Sequence, residues 1–386
     1  MLQITHSVFL TRFSRIMAAI IMLLTVPFAT YAGGSDGGKF DPGKSIMDHI
    51  GDSHEWHLFG DVSVPLPVIV KGMNGFTLFS SSNFHHDNKG IEVVEKGADR
   101  FVRHNNTIYF ASAIQNEEGA WIEKNETGEV MNDTPLDLSI TKNVASLFFS
   151  LIFMLWLFFS VAKAYARRKG EAPKGVQSFM EPLILFVRDE IAKPSIGEKK
   201  YMKFMPFLLT VFFFIWINNL LGLVPIIPGG ANLTGNIAVT LTLSVFTFLI
   251  TTVVANKNYW HHVFAMPGVP VWVLFLLTPI EILGIFLRPF VLMIRLFANI
   301  TAGHIIVLSF FSLIFIFGEM NPGLGFGVSI LSVGFVVFMT MLELLVAFLQ
   351  AYVFTLLSAI YFGAAVEEHH HDHDGVDAKV EEAAII

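Results

Sequence analysis

Residues 270–317 read PVWVLFLLTPIEILGIFLRPFVLMIRLFANITAGHIIVLSFFSLIFIF. Only Glu281, Arg288 and Arg295 interrupt this run with charge. A second apolar run follows from about Leu324 to Val366, with Glu343 as its one charge, after a turn at Glu319–Gly323. A helix of about 45 residues is about 65 Å long at 1.5 Å rise per residue. The hydrocarbon core of a bilayer is about 30 Å thick and needs about 20 residues to cross. Ordinary tilt of about 20° does not absorb the excess. The two runs are therefore predicted to form a long, strongly tilted helical hairpin in the membrane. Pro279, Gly284 and Pro289 give its first arm places to bend.

The rest of the composition agrees. The 386 residues are 53% hydrophobic and 15% charged, against about 25% charged in a soluble domain. Phe fills 39 positions, which excludes a disordered chain, and the net charge of −7 argues against a nucleic-acid partner. Without cysteine there is no disulfide, thiolate zinc site or cysteine nucleophile. Between Met205 and Val366 the only charged residues are Lys257, Glu281, Arg288, Arg295, Glu319 and Glu343, which is the charge density of a membrane interior.

The expected fold is an all-α polytopic membrane protein with five membrane segments. They run over about 144–163, 205–223, 236–255, 270–317 and 324–366, within a membrane domain of 144–366. The connection from Lys163 to Lys203 carries ten Lys/Arg against five Asp/Glu, so the positive-inside rule makes it cytoplasmic. Within it, Val176–Ile191 mixes apolar and charged residues at helical spacing and is expected to lie on the membrane surface as an interfacial helix. The second span stops at Pro225, Pro228, Gly229 and Gly230. The third ends near Lys257, His261 and His262.

Residues 1–32 have the form of a signal peptide. Arg12 and Arg15 precede the short apolar run Ile16–Phe28, and the small residues Thr30 and Ala32 follow. Residues 33–143 are acidic and punctuated by Gly, Asn and Ser. Short β-prone runs at Val62–Val70, Phe76–Phe79, Thr107–Ala111 and Ala120–Ile122 predict a small β-rich extracytoplasmic region. His49, His54 and His57 near Asp52 and Glu55, and His85-His86-Asp87, match no metal-ligand template. They read as solvated acidic surface. Residues 367–386 form an acidic, cytoplasmic tail in which His369–His371, Asp372, His373 and Asp374 read as solvated rather than metal-binding.

The polar residues of the hairpin follow a pattern. When the two arms are folded about Pro322-Gly323, Arg295 falls level with Gln350, His304 with Glu343, and Glu281 with Glu367. Glu281, Arg288 and Arg295 recur at seven-residue intervals and share one face. Asn299 lies one turn beyond Arg295 on nearly that face, whereas His304 is about half a turn round. A charge at the centre of a membrane helix costs about 2.5–3.5 kcal/mol on insertion scales, so such residues usually mark an ion path. Arg288, nearer the cytoplasmic end, reads as an interfacial anchor. Glu319, beside the turn, reads as solvated.

The stretch Met293-Ile294-Arg295-Leu296-Phe297-Ala298-Asn299-Ile300-Thr301-Ala302-Gly303-His304 closely resembles the signature of subunit a of rotary F-type ATP synthases. So do Leu349-Gln350-Ala351-Tyr352-Val353-Phe354, Tyr361 with Glu367-Glu368-His369, and Asn218-Asn219-Leu220-Leu221-Gly222-Leu223-Val224-Pro225. The resemblance covers roughly Val144 to His369. It implies a non-catalytic stator subunit beside a ring of c subunits, each with one membrane carboxylate. It also implies peripheral-stalk b subunits, other ATP synthase subunits and the lipid bilayer as partners. By this resemblance Arg295 attracts the deprotonated ring carboxylate and blocks a direct leak between two offset half-channels. Asn299, His304, Glu343 and Gln350 would line the outer half-channel, and Glu281 the cytoplasmic one. In another bacterial form of the family a glutamate stands at the position of His304 and a histidine at that of Glu343, so this chain exchanges the two. The implied location is a bacterial inner membrane, with the N-terminal region outside and the C-terminus inside. No cofactor is expected, and no phosphate-binding loop is present. The competing reading is a stand-alone secondary transporter with Arg295 as an anion site. That reading calls for inverted repeats and broken helices, which the sequence lacks. A membrane receptor would leave the paired polar residues without purpose.

Overall fold

The computed structural model describes residues 40–59, 62–73, 75–168, 170–224, 229–264, 266 and 269–367. The expected signal peptide, the turn prolines Pro225 and Pro228, and the histidine-rich tail lie outside the described residues. The chain divides into two compact units. Among the described residues the first takes 40–162, 214–239 and 296–350, and the second takes 163–213, 240–295 and 351–367.

Among the described residues the first unit opens with a short helix α1 (Pro42–Ile50), whose N-terminus is capped by the Asp41 carboxylate accepting from the Lys44 N–H. Eight strands follow: β1 (Glu55–Phe59), β2 (Val62–Pro65), β3 (Pro67–Gly72), β4 (Gly75–Ser80), β5 (Lys89–Lys96), β6 (Asp99–His104), β7 (Thr107–Phe110) and β8 (Leu136–Asp137). They pair as β1–β2, β4–β3–β8 and β5–β6–β7. Alternation sets the core: Val68 and Val70 turn inward from β3 and meet Phe79, Phe84, Val94, Phe101 and Ile108. The expected run Val62–Val70 is two strands, broken at Leu66 between Pro65 and Pro67, neither of which has an N–H to donate to a ladder. Ala120–Ile122 is not a strand, although the Trp121 N–H donates to the Gly90 carbonyl.

His54 and Glu55 correct the reading of a solvated acidic surface, for both are buried. His54 Nε2 lies 2.9 Å from Asp137 Oδ2. The Glu55 carboxylate accepts from Arg103 Nη1 at 2.6 Å and lies 2.7 Å from His86 Nδ1. Pairing across folded strands satisfies what would otherwise be stranded charges. Burial raises the Glu55 pKa, but Arg103 and His86 outweigh it and hold the carboxyl below the ordinary 4.5. Burial also opposes ionisation of Asp137, and hydrogen bonds from His54 and Ser139 again prevail. A depressed carboxyl contributes stability above its unfolded pKa and loses it as pH falls through its folded value. The β region is thus expected to weaken below about pH 4.5. Glu55→Gln should cost about 3 kcal/mol at neutral pH and reduce that acid sensitivity. Protease protection of the full chain across pH checks this, and equal protection of variant and wild type at neutral pH would refute it.

Among the described residues, five helices are long and apolar enough to cross a membrane. They are α2 (Lys142–Arg167), α5 (Tyr201–Leu223), α6 (Ile237–Val254), α8 (Val271–Met320) and α9 (Pro322–Val366). Between α2 and α5 the chain forms α3 (Val176–Phe186), a π turn (Val187–Ala192) and α4 (Lys193–Ile196), and α7 (Lys257–Phe264) precedes α8. On α6 the small polar residues Thr240, Ser244, Thr247 and Thr251 form the buried stripe, while Leu241, Val245, Leu249 and Val253 are exposed. Small residues permit close helix approach where lipid supplies no hydrophobic drive. Helix α8 is 50 residues long and runs unbroken through Pro279 and Pro289, and α9 is 45 residues long.

One residue, Asn321, joins α8 to α9, and its side chain accepts from the Gly323 N–H at 2.8 Å. An Asn cap followed by Pro at the first helical position starts α9 sharply. In the first unit the arms then pair in register. Gly318 lies against Gly325, the Phe310 and Phe335 rings stack with centroids 5.0 Å apart, and His304 faces Glu343.

Candidate functional site

Helices α5, α8 and α9 line a small, partly open cleft in the first unit. It is lined by Asn219 and Leu223, by Asn299, Ile300 and His304, and by Glu343, Val346 and Ala347. His304 Nδ1 lies 3.9 Å from Glu343 Oε1. That is beyond a direct hydrogen bond and close enough for one shared water or a small rotation to connect the two. Both side chains are largely but not wholly covered, at 16% and 12% exposure.

Two glycines lie beside this pair, and one of them, Gly303, is required by it. A side chain at Gly303 would press on the Glu343 carboxylate, its Cβ falling 2.6 Å from Oε1. A Cβ at Gly222 would lie 3.4 Å from the Ala231 carbonyl oxygen and 3.8 Å from His304 Nε2. Those are ordinary contact distances, so Gly222 packs against both the following loop and His304 without being forced to lack a side chain. Asn219 Nδ2 donates to the Ala347 carbonyl at 3.1 Å, and its Oδ1 accepts from the Thr234 hydroxyl at 2.6 Å. With both ends of its amide engaged, Asn219 presents a fixed polar face. Charge spacing does not single out Asn219 or Thr234. Asn219 is marked by the Asn218-Asn219 pair inside an apolar span and by the family resemblance around it, whereas no sequence signal marks Thr234.

The remaining sequence candidates fall as follows. Asn299 is exposed on α8 and lines the cleft, and Gln350 is buried on α9. In the second unit Glu281 and Arg295 are half-buried on α8. Arg288 donates from Nη1 to the Tyr259 hydroxyl at 3.4 Å, and its guanidinium lies 5.7 Å from the Tyr361 ring centre. A second small, partly open cleft lies beside Arg288, between Thr251, Tyr259, Pro289 and Tyr361. Among the described residues no group of three or more His, Asp or Glu side chains is placed to hold a metal ion.

The family described as ATP synthase A chain matches residues 144–363, which include Asn219, Glu281, Arg295, Asn299, His304, Glu343 and Gln350. The chain belongs to the ATP synthase A chain family. It is 48% identical over 246 residues to ATP synthase subunit a 2 of Chlorobaculum tepidum, covering 62% of this chain and 66% of that one. It is 43% identical over 243 residues to ATP synthase subunit a of Chloroherpeton thalassium, covering 61% and 69%. With ATP synthase subunit a of Anaeromyxobacter sp. the identity is 39% over 264 residues, covering 66% and 61%. The match thus spans about two thirds of the length of these relatives. Residues 45–138 of this A chain family member match a second family, described as a domain of unknown function (DUF8433).

Proposed function

We propose that this chain is the proton-conducting stator subunit of an F-type ATP synthase, without a catalytic site of its own. The supporting observation is the His304–Glu343 pair, with Asn219 and Asn299, in a cleft between apolar helices, on a chain of this family. The cleft with Asn299, His304 and Glu343 would be part of the outer half-channel, extended by Gln350. Glu281 would serve the cytoplasmic half-channel. An imidazole and a carboxylate side by side can pass a proton between them, since each exists in a proton-holding and a proton-accepting form.

Arg295 would stand between the two paths. It lies nine residues from His304 on α8, about 13 Å along the axis. Its guanidinium stays charged at any reachable pH and does not relay protons. It would pair transiently with a deprotonated carboxylate on a rotating c-subunit ring, so that protons pass only by way of the ring. Peripheral-stalk b subunits, the other ATP synthase subunits and the lipid bilayer complete the set of partners.

In the same reading residues 1–32 are a signal peptide, 33–143 an extracytoplasmic region, 144–366 the membrane domain and 367–386 a cytoplasmic tail. The membrane is a bacterial inner membrane. The segment 176–191 rests on its cytoplasmic surface, and the hairpin lies oblique because helices of 50 and 45 residues exceed the bilayer thickness.

Proton pumping by the assembled complex with Arg295→Ala tests the reading, and pumping at the wild-type level would sink it. Gly303→Ala is a milder probe that leaves every ionisable group in place. Its Cβ displaces the Glu343 carboxylate, so passive proton conductance should fall by about tenfold, the effect of losing about 1.4 kcal/mol at the slow step. Full conductance with Gly303→Ala would show that the position of Glu343 does not matter.

A further inference from the structure

The β-rich N-terminal region is joined to the loop after α5 by one buried hydrogen bond. Trp56 is 7% exposed, and its indole Nε1 donates to the Gly229 carbonyl at 3.1 Å. Gly229 itself is pressed onto the end of α5, where a Cβ would collide with the carbonyl oxygens of Leu221 and Val224. The next residue donates its N–H to the Leu221 carbonyl at 3.2 Å. Residues Ala231–Thr234 are all buried. This buried stretch ends at the Thr234 hydroxyl on Asn219, and its Ala231 carbonyl meets Gly222 beside His304.

The other end of this linkage has no slack. Immediately before Trp56, Glu55 is held by Arg103 and His86, and His54 by Asp137. Lys142 Nζ donates to the His49 and Gly51 carbonyls, and the Asn143 N–H to Asp52, tying the segment before β1 to the start of α2. The Phe40 N–H donates to Glu319 Oε1, and the Phe40 ring lies 5.1 Å from that of Phe315, which attaches the region to the hairpin as well. A surface domain that merely trailed from the membrane would not need a buried indole on a channel-side loop.

We infer that the N-terminal β region braces the wall of the outer half-channel, with Trp56 as a positioning residue that holds the 229–234 loop and, through Thr234, the amide of Asn219. This inference rests on the outer half-channel reading of the cleft. It gives a region of unknown function a definite role, that of keeping polar groups aligned along a proton path.

The test uses the assembled complex in membranes, with passive proton conductance and ATP-driven pumping normalised to the amount of assembled chain. Trp56→Phe keeps an aromatic ring and removes the N–H; Thr234→Ala removes the hydroxyl. Each should slow conductance by about threefold to tenfold, the range for one lost hydrogen bond. The double variant should be no slower than the slower single one, because both break the same linkage. Thr234→Ser should conduct as wild type. Wild-type conductance with Trp56→Phe, or effects that simply add, would overturn the inference. Trp56→Tyr is a second variant lacking the indole N–H; if neither Phe nor Tyr assembles while Thr234→Ala does, Trp56 serves folding only and the inference fails. His304→Ala, measured in the same membranes, separates the two levels. If it conducts normally, the channel reading has failed; if it is slow while Trp56→Phe is normal, only the bracing role has failed.

Discussion

Arg295→Ala is expected to abolish ATP-driven proton pumping while leaving the complex assembled. At an effective dielectric of about 20, two opposite charges about 4 Å apart attract by about 4 kcal/mol. Losing that attraction would slow the step that depends on it by about three orders of magnitude. A second effect follows from the same change. With no fixed positive charge between the half-channels, protons could cross without turning the ring, so passive leak should rise as coupled pumping disappears. Lysine is not an equivalent replacement, because a buried ammonium can lose its proton and relay it, whereas a guanidinium cannot. Arg295→Lys should therefore leak more than wild type even if some pumping survives. Vesicle acidification on ATP addition, followed by decay of the gradient when ATP is exhausted, measures both quantities. Wild-type acidification with Arg295→Ala would exclude this arginine from the coupling step.

Replacing His304 or Glu343 by Ala should slow proton passage by about tenfold, less than the roughly hundredfold that a positioned acid or base supplies when no water can replace it. The cleft between them has room for water, which moderates the loss. The exchanged double variant, His304→Glu with Glu343→His, retains one imidazole and one carboxylate at the same level of the hairpin. It should conduct better than either alanine variant. That ordering separates a proton-handling pair from a packing contact, because a packing contact would be damaged further by two changes than by one. Equal conductance in the wild type and both alanine variants would remove the pair from the path.

The sequence carries most of the membrane architecture. The positions of its few charges divide the apolar chain into five segments, and the numbering mirrored about Pro322-Gly323 sets His304 level with Glu343. Their nitrogen and oxygen lie 3.9 Å apart. Such a reading works because a helical hairpin with a minimal turn converts residue number directly into depth. Two features were not legible. The burial of His54 and Glu55 depends on strands distant in the chain, which bring Arg103 and Asp137 to them. No local pattern distinguishes a paired buried glutamate from a solvated one. Likewise Trp56 has no periodicity to mark it, and its partner is a glycine carbonyl whose importance comes from close approach rather than from its side chain. Membrane helices are legible one at a time, whereas the irregular β region is specified mainly by contacts between separated segments.

Asn321, the lone connector between two helices of 50 and 45 residues, leaves no room for error in chain length. An added residue between it and Glu343 would swing that carboxylate round by about 100° and carry it about 1.5 Å along the axis. Nothing in the connector could absorb the slip, just as a zip joined one tooth out stays misaligned along its whole length. Insertions and deletions should therefore be far rarer in the hairpin than substitutions, and lengthening of the protein should be confined to its outer loops and ends.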